Sequence, residues 1–404
     1  MALFSGFTEK KEETALLIDI GNGTITGAIA LFTKGKKPEF LYANSVPFAV
    51  REMPNAEKLV EDMNMLLESL LGTLMKQGFA HPYWQKKARN IPKALVAFSS
   101  PWFVSKTKHL NLSKDRPFVI TESFVAGIVR KEEEDFRNEL LKSANADDGD
   151  TFELVEKSIV HTKINGYTLD SSIGKKTRNF DSYLCLAMIS QGVVNKVESI
   201  LLKHAHIPKE KTVVHTFPLI SFTVIRDVFS ASSDFLILDI TAEVTDVTLV
   251  KNDVIDKSVS VPSGRNFIIR QIMKSFEVTS EIADSTLHLY VEEKLDAESV
   301  QKMEQVLVNV EKEWSIYFEN ALLELSADMI LPSSTFMTAE DDVANIYAGF
   351  LNLSKTDSTA TFRKSLNLMR VDKETTSQFF ESKLGSKVNE FVALLAIFYN
   401  KIFQ

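Results

Sequence analysis

The sequence lacks several features that would assign a protein to a class. It contains one cysteine, Cys185 in the apolar stretch "SYLCLAMI", which excludes an internal disulfide and any metal site built from several cysteines. No apolar run approaches the roughly eighteen residues that a membrane-spanning helix requires, and the amino terminus has too short an apolar stretch for a signal peptide. We therefore expect a soluble body in a reducing cytoplasm.

An excess of positive charge is also missing. The 404 residues include 46 Lys and Arg against 54 Asp and Glu, a formal net charge of −8, which argues against nucleic acid as the main partner. The apolar fraction of 45% and the charged fraction of 25% are typical of globular proteins. Because the chain is longer than one hydrophobic core usually needs, we expect two or more lobes.

The most informative stretch is "LLIDIGNGTITGAIALF", residues 16–32. Its apolar ends predict two antiparallel strands, and Gly21 and Gly23 let backbone N–H groups face a concave anion site between them. Thr24 adds a hydroxyl group, while Asp19 is suited to hold Mg²⁺ through water. The combination predicts a site for a nucleotide phosphate; the alternative is an ordinary hairpin whose turn Asp19 caps.

A second hairpin repeats this pattern. "FLILDITAEVTDVTLV", residues 235–250, also has an apolar strand that ends in Asp-Ile, then a turn and an apolar return strand. A long amphipathic helix from about Asn55 to Lys76 and the buried strand "ALVAFSS" come after the first hairpin, an order typical of α/β layers. Two such lobes facing each other would clamp a phosphate chain between their hairpins.

In order and spacing these motifs resemble the actin-like ATPase superfamily, in particular the bacterial branch that contains the cell-division protein FtsA and the type IV pilus assembly protein PilM. The likeness extends over about residues 2–353 and includes the lead "LFSGFTEKKEE", both hairpins, and the segments "INGYTLDSSIG" and "TVVHTFPLISFTVI". The resemblance implies an α/β, actin-like (ribonuclease H-like) two-lobed fold with an inserted SHS2-type subdomain.

The same resemblance divides the chain into five parts. They are residues 14–120 for the first lobe with the first phosphate hairpin, 121–205 for the inserted SHS2-type subdomain, 206–232 for the interdomain helix of the first lobe, 233–353 for the second lobe with the second phosphate hairpin and the adenosine turn, and 354–404 for a linker and an amphipathic C-terminal helix.

Nucleotide binds between the two lobes in this superfamily. The residues that the resemblance implies as cofactor ligands are Asp19, Gly21, Asn22, Gly23, Thr24, Asp239, Thr241, Ser333 and Ser334. Asp19 and Asp239 are the implied ligands of Mg²⁺, and no catalytic residue is assigned.

Three of the four nucleotide elements depart from the family pattern. The second hairpin usually reads Asp-Ile-Gly-Gly-Gly-Thr, whereas residues 241–244 are "TAEV", and Glu243 opposes phosphate unless its side chain turns outward. Phe217 stands where relatives carry an acid that orients the attacking water, and His215 nearby is more often structural. Residues 332–334, "PSS", replace the glycine pair of the adenosine turn.

We therefore expect ATP and Mg²⁺ to bind weakly or not at all, with efficient hydrolysis lost and the scaffold retained. Two other classes stay open. One is a working ATPase or small-molecule kinase of the same superfamily, which would need an acid near Phe217 and close backbone approach at Thr241. The other is a self-polymerising filament protein, because self-association surfaces carry no legible motif in a single sequence.

The C-terminal segment "SKVNEFVALLAIFYNKIFQ", residues 386–404, predicts a helix with one broad apolar side. The resemblance implies a helix that targets the inner-membrane surface, and nearby basic residues would attract anionic headgroups. These residues are Arg363, Lys364, Arg370, Lys383, Lys387 and Lys401. The alternative is that the helix packs on the body of the protein or on another copy of the chain.

Taken with the resemblance, these features predict a cytoplasmic scaffold at the inner face of the cell membrane. The inserted subdomain would bind a peptide from a membrane protein, and the chain would recruit components of a type IV pilus or of a division machine. The sequence does not discriminate between these two machines, whereas genome neighbourhood would.

Overall fold

A computed structural model describes residues 12–52, 55–143, 151–164, 167–168, 173–229, 232–326, 330–353, 366–382 and 388–404. The predicted lead "LFSGFTEKKEE" lies almost entirely outside these residues. Within them the chain forms three β-sheets of six, five and four strands.

The strands are β1 (Glu12–Ile20), β2 (Thr24–Thr33), β3 (Glu39–Pro47), β4 (Lys93–Phe98), β5 (Phe103–Val119), β6 (Phe152–Ile164), β7 (Tyr167–Thr168), β8 (Lys176–Ser190), β9 (Thr212–Thr216), β10 (Phe235–Ile240), β11 (Thr245–Lys251), β12 (Val254–Val261), β13 (Ser334–Ala339), β14 (Asn367–Arg370) and β15 (Glu381–Ser382). The α-helices are α1 (Ala56–Thr73), α2 (Glu122–Ser143), α3 (Gln191–Ala205), α4 (Phe217–Val228), α5 (Arg265–Phe276), α6 (Ser280–Val291), α7 (Ala297–Leu325), α8 (Asp341–Leu353), α9 (Lys373–Thr376) and α10 (Glu390–Phe403).

The first lobe is built on the sheet β15-β3-β2-β1-β4-β9. β1 and β2 form the predicted antiparallel hairpin, with Ile20 opposite Ile25, and β4 lies parallel to β1 on its other side. Because side chains alternate along a strand, Leu16 and Ile18 face α1 and α3, whereas Leu17 faces α4 and α10. The sheet is therefore covered by helices on both faces.

The second lobe repeats this plan on the sheet β12-β11-β10-β13-β14. β10 and β11 form its hairpin, with Ile240 opposite Thr245. Leu236 and Leu238 pack on α5, α7 and α8, while Phe235 and Ile237 point to the opposite face. That opposite face shares one hydrophobic core with the first lobe, so α4 and α10 form a layer between the two sheets.

The inserted subdomain is the antiparallel sheet β5-β8-β6-β7, covered on one face by α2. It is joined to the first lobe where Phe103 of β5 lies opposite Ile189 of β8. β5 therefore belongs to the insert, whereas α3 packs with α1 in the first lobe, and the boundaries at 121 and 205 are corrected accordingly. β5 is not predicted from the sequence, because "KTKHLNLSKDRP" lacks the apolar run that indicates a strand.

Residues 354–404 do not form a separate tail where the structure describes them. β14 extends the second sheet, β15 pairs with β3 in the first sheet, and α10 lies in the layer between the sheets. Leu394 and Leu395 are fully buried and Phe391 is 6% exposed. The prediction that this helix docks on the membrane is wrong, because its apolar side chains already contact the protein core.

Two of the six basic residues predicted to contact lipid headgroups form ion pairs within the protein. Lys401 pairs with Asp227 and Arg370 pairs with Asp372, while Arg363, Lys364, Lys383 and Lys387 lie outside the described residues. None of the described helices is both long enough and apolar enough to cross a bilayer.

Candidate functional site

The two hairpin turns face each other across the cleft between the lobes. Each turn is closed by an equivalent backbone hydrogen bond, from Gly21 N to Thr24 O at 3.1 Å and from Thr241 N to Val244 O at 2.9 Å. The structure brings most of the predicted site residues together around one small cavity, whose lining includes Asp19, Gly21, Asn22, Gly23, Thr24 and Thr241. Asp239 lies at the corresponding end of β10.

Asn22 connects the two hairpins directly. Its Nδ2 donates to Ser100 O at 2.9 Å and to Thr241 Oγ1 at 3.1 Å. Its Oδ1 accepts from the backbone N–H groups of Ala242 at 2.9 Å and Glu243 at 3.3 Å. These are the turn N–H groups that would bind an anion, so the carboxamide of Asn22 takes the position expected of a phosphate oxygen.

The backbones of the turns are also in contact. A Cβ built on Gly23 would lie 2.2 Å from Ala242 Cβ, so only glycine fits opposite Ala242. On the other side of the second turn, Arg265 N and Asn266 N at the start of α5 donate to Thr241 O and Ala242 O. The amino end of α5 is thereby satisfied by the chain itself instead of facing an anion.

The space that remains between the turns is about 20 Å³, enough for one water molecule. A triphosphate does not fit this space, because Asn22 and Ala242 fill it and because the second-turn N–H groups of Ala242 and Glu243 already donate to Asn22. No step of a nucleotide reaction is therefore derived for this cleft.

Glu243 is not the obstacle that the sequence predicts. Its Oε2 accepts from Arg270 Nη2 at 2.8 Å and its Oε1 accepts from Asn266 Nδ2 at 2.7 Å. Both partners belong to α5, so the carboxylate turns away from the first hairpin and is neutralised by Arg270. The side chain of Glu243 therefore turns outward and does not oppose phosphate. Asn22 and Ala242 are the residues that exclude phosphate from the site.

Ser333 and Ser334 do not belong to the cleft, and their assignment to the adenosine turn is wrong. They lie at the start of β13, where Thr335 pairs with Leu236 near the beginning of β10. The cleft is at the opposite end of this parallel pair, where β13 is followed by Glu340, whose Oε1 accepts from Thr24 Oγ1 at 2.8 Å. Glu340 thus bridges the lobes.

A larger cavity of about 570 Å³ opens beside the turns, between Phe48 of the first lobe and α5, α6 and α8 of the second. Its lining includes six carboxylates, namely Glu281, Asp284, Glu292, Glu340, Asp341 and Asp342. Arg265 and His288 are its basic residues, and Arg265 already pairs with Asp284, Glu340 and Asp342. The remaining negative charge opposes a polyphosphate.

Asp19 and Asp239 are buried carboxyl groups with one unpaired oxygen each, Asp19 Oδ1 and Asp239 Oδ2. Burial and the nearby charges of Asp239 and Glu340 raise the pKa of Asp19 well above its usual value. Burial raises the pKa of Asp239 to about 7, against the hydrogen bond that Thr338 donates to it. Among the described residues, no group of three or more His, Cys, Asp or Glu side chains is placed to hold a metal ion.

The raised pKa of Asp239 predicts a pH-dependent stability. The folded chain binds this proton more tightly than the unfolded chain, so the free energy of unfolding falls as pH rises from about 4 to about 7. We expect Asp239→Asn to raise the melting temperature at about pH 8 and to leave it nearly unchanged at about pH 4, with a gain of at most about 4 kcal/mol. Equal destabilisation at both pH values would mean that an ionised Asp239 is stabilised by a partner, such as a cation.

An apolar residue occupies the position at which relatives carry the acid that orients the attacking water. Phe217 is fully buried, and its ring lies 5.3 Å from that of Phe391 on α10. His215 does not reach the cleft: its Nδ1 lies 3.7 Å from Glu156 of the insert and its ring packs on Phe398. Neither residue is therefore placed to activate a water molecule in the cleft.

Sequence reasoning missed Glu340, Arg265 and the bridging role of Asn22. The stretch "TAEDD" at residues 338–342 carries the signal for Glu340, since acidic residues directly follow an apolar strand. The turn sequence predicts phosphate binding for Asn22 and contains no signal that its side chain instead pairs with a turn more than two hundred residues away.

Comparison with known proteins rests on structure alone. No protein-family model matches the sequence, and no curated protein matches it. Among solved structures, the PilM-PilN type IV pilus biogenesis complex aligns with a TM-score of 0.60 and 15% identity over 96% of this chain and 98% of that chain. The chain therefore has the PilM-type actin-like fold, as predicted.

Two further structures align at lower similarity. The ethanolamine utilization protein EutJ from Carboxydothermus hydrogenoformans has a TM-score of 0.43 and 9% identity over 96% of this chain and 89% of that chain. MreB 5 of Spiroplasma citri bound to AMPPNP has a TM-score of 0.43 and 11% identity over 96% of this chain and 97% of that chain.

Proposed function

We propose that this protein is a nucleotide-independent scaffold with an actin-like fold, which binds a peptide segment of a membrane protein in a pilus-type machine. The observation that carries the proposal is the bridge made by Asn22 between the two turns. In a scaffold of this kind the lobes are held closed by side chains of the chain itself, so no nucleotide is needed to join them.

The partner segment of the proposal comes from the structural comparison. PilM is in a complex with PilN in the structure that aligns with this chain, and we propose that this chain likewise binds a partner, here a segment of a membrane protein. The insert offers a groove of about 410 Å³ between α2 and Lys157 of β6, with an apolar floor that includes Val125 and Val129. Its lining also carries both signs of charge, from Glu122, Glu133, Arg130 and Lys157, which suits an amphipathic peptide.

The nucleotide part of the proposal is tested by titrating the full chain with Mg-ATP in a calorimeter. We expect no saturable heat and no steady phosphate release, because the N–H groups of Ala242 and Glu243 in the second turn are occupied by Asn22. A cooperative thermal melt of the same sample shows that the chain is folded. Micromolar binding together with turnover that Asp19→Asn abolishes would instead identify a working ATPase.

The partner part is tested with the cytoplasmic segment of a membrane protein encoded beside this gene. The exposed Ala126 lines the groove, so Ala126→Trp is expected to fill it and lower affinity at least about tenfold, without lowering the melting temperature. Gly72 on α1 of the first lobe has open space around it, which makes Gly72→Trp the matched control. Equal affinity of the Ala126→Trp variant would remove this groove from the proposal.

Pilus and division machines remain alternatives for the setting of this scaffold, and the complex that aligns with the chain favours the pilus type. The SHS2-type assignment of the insert, a peripheral position at the inner membrane and self-association stay predictions.

A further inference from the structure

The far end of the inserted subdomain carries a cluster of basic residues in an otherwise acidic protein. We call this cluster the basic tip; it consists of Lys114, Arg116, Lys175, Lys176 and Arg178, all exposed. β5 and β8 bring them together, since Val119 pairs with Lys176 and Ser113 pairs with Asn179, and residues 114–117 bulge out between these pairs. Asp115 is the one carboxylate within residues 113–119 and 173–178, and Glu122 at the start of α2 lines the same groove as Ile173.

None of the five cations of the basic tip forms an ion pair with any described residue. Lys114 does lie over two aromatic rings, that of Phe118 at 4.6 Å and that of Phe124 at 5.3 Å. Nearer the first lobe the same strand behaves differently, because Lys106 pairs with Glu139 and Lys108 pairs with Glu132. The charge at the tip is therefore available to an external anion.

Two exposed apolar side chains stand among these cations. Val119 is 47% exposed and Ile173 is 43% exposed. Lys176 pairs with Val119, and Lys175 O accepts from Ile120 N at 2.9 Å, which keeps the apolar and basic residues at the same edge. Apolar side chains flanked by Lys and Arg are what a surface needs to enter the boundary between headgroups and acyl chains.

The position of the basic tip leaves it accessible. The ladder of β5 and β8 runs from the pair of Phe103 and Ile189 at the first lobe to the pair of Val119 and Lys176 at the tip, which is roughly 40 Å of strand. The basic tip therefore lies at the end of this ladder that is farthest from the first lobe.

We propose that the basic tip binds the surface of a membrane that contains anionic lipids. The shared chemistry of phosphate groups would also allow nucleic acid, but the exposed Val119 and Ile173 favour a bilayer, since the nucleic-acid backbone offers no apolar phase for them. Ile173 also lines the groove proposed for the partner peptide, so the groove opens next to the membrane. The membrane contact does not rest on that partner, because it is a property of the chain alone.

The experiment is flotation of the purified full chain with phosphatidylcholine vesicles that contain phosphatidylglycerol. We expect the chain to float with them at low salt and to be released at about 1 M salt, where charges are screened beyond about 3 Å. Lys175→Glu with Lys176→Glu should lower the bound fraction at least about tenfold. The double variant Val119→Ser with Ile173→Ser should bind the vesicles more weakly at low salt. Its residual binding should be more sensitive to salt than that of the unmodified chain.

The control variant combines Lys196→Glu on α3 with Lys211→Glu, two exposed residues of the first lobe that give the same change in net charge. It should float like the unmodified chain, and all variants should melt as the unmodified chain does. Absence of flotation, or equal loss in the control variant, would overturn the proposal. Binding to duplex DNA that is lost with Lys175→Glu and Lys176→Glu, without vesicle binding, would overturn it in favour of nucleic acid.

Discussion

A chain that ends at Ser382, and therefore lacks α10, is expected not to fold. The helix places Phe391, Leu394, Leu395, Phe398 and Tyr399 in the core between the two sheets. Burial stabilises each such side chain by about 1.5–3 kcal/mol, so the loss is on the order of 10 kcal/mol, comparable to the whole stability of an ordinary domain. The expected result is an insoluble chain, or a soluble one without a cooperative thermal transition.

A single substitution makes the same test more cleanly. Phe391→Asp buries a charge beside Phe217 and is expected to lower the free energy of unfolding by about 4 kcal/mol or more. Ile402 lies on the same helix but is 62% exposed, so Ile402→Asp is the matched control and should change stability little. Unchanged melting of Phe391→Asp would return the helix to the membrane hypothesis, in which the lobes do not depend on it.

The composition of α10 indicates burial in a core, which its apolar side alone does not. Residues 391–399, "FVALLAIFY", include no charged residue, and a helix that is apolar all round is usually buried in a core. A helix that lies on a membrane surface keeps a polar face. The sequence predicts a helix whether it binds a membrane or is buried. The surface on which it packs lies between two sheets whose strands are distant from it in sequence.

The fold was predictable because its main signals are local. The hairpin strands, α1 and the order of the lobes follow from apolar period and glycine turns, and the structure has them at the predicted places. The site was predictable only on the first hairpin. Ser333 and Ser334 were misplaced because the sequence favours a strand over "ADMIL", whereas the strand begins at Ser334 and the cleft receives Glu340.

Asn22→Asp is the second substitution with a large expected effect. The Nδ2 group of Asn22 donates to Ser100 O and Thr241 Oγ1. An ionised carboxylate has no donor, so its oxygen would face the carbonyl oxygen of Ser100 without a hydrogen bond between them. It would also stand in a cavity already lined by Asp19 and Glu340. We expect a loss of about 3 kcal/mol or more in the free energy of unfolding at neutral pH.

The readout that identifies Asn22 as the bridge is hydrogen exchange in the two turns. Opening of the cleft should speed exchange both at residues 19–26 and at residues 239–246, since the N–H groups of Ala242 and Glu243 lose their acceptor. Asn22→Ala should give the same pattern with a smaller loss of stability, because it removes the bonds without adding charge. Asn320→Asp, on the exposed side of α7, makes the same change in net charge and should leave both turns protected. If Asn22→Asp also leaves both turns protected, Asn22 does not close the cleft, and the lobes are held together by the layer of α4 and α10 and by the contact between Thr24 and Glu340.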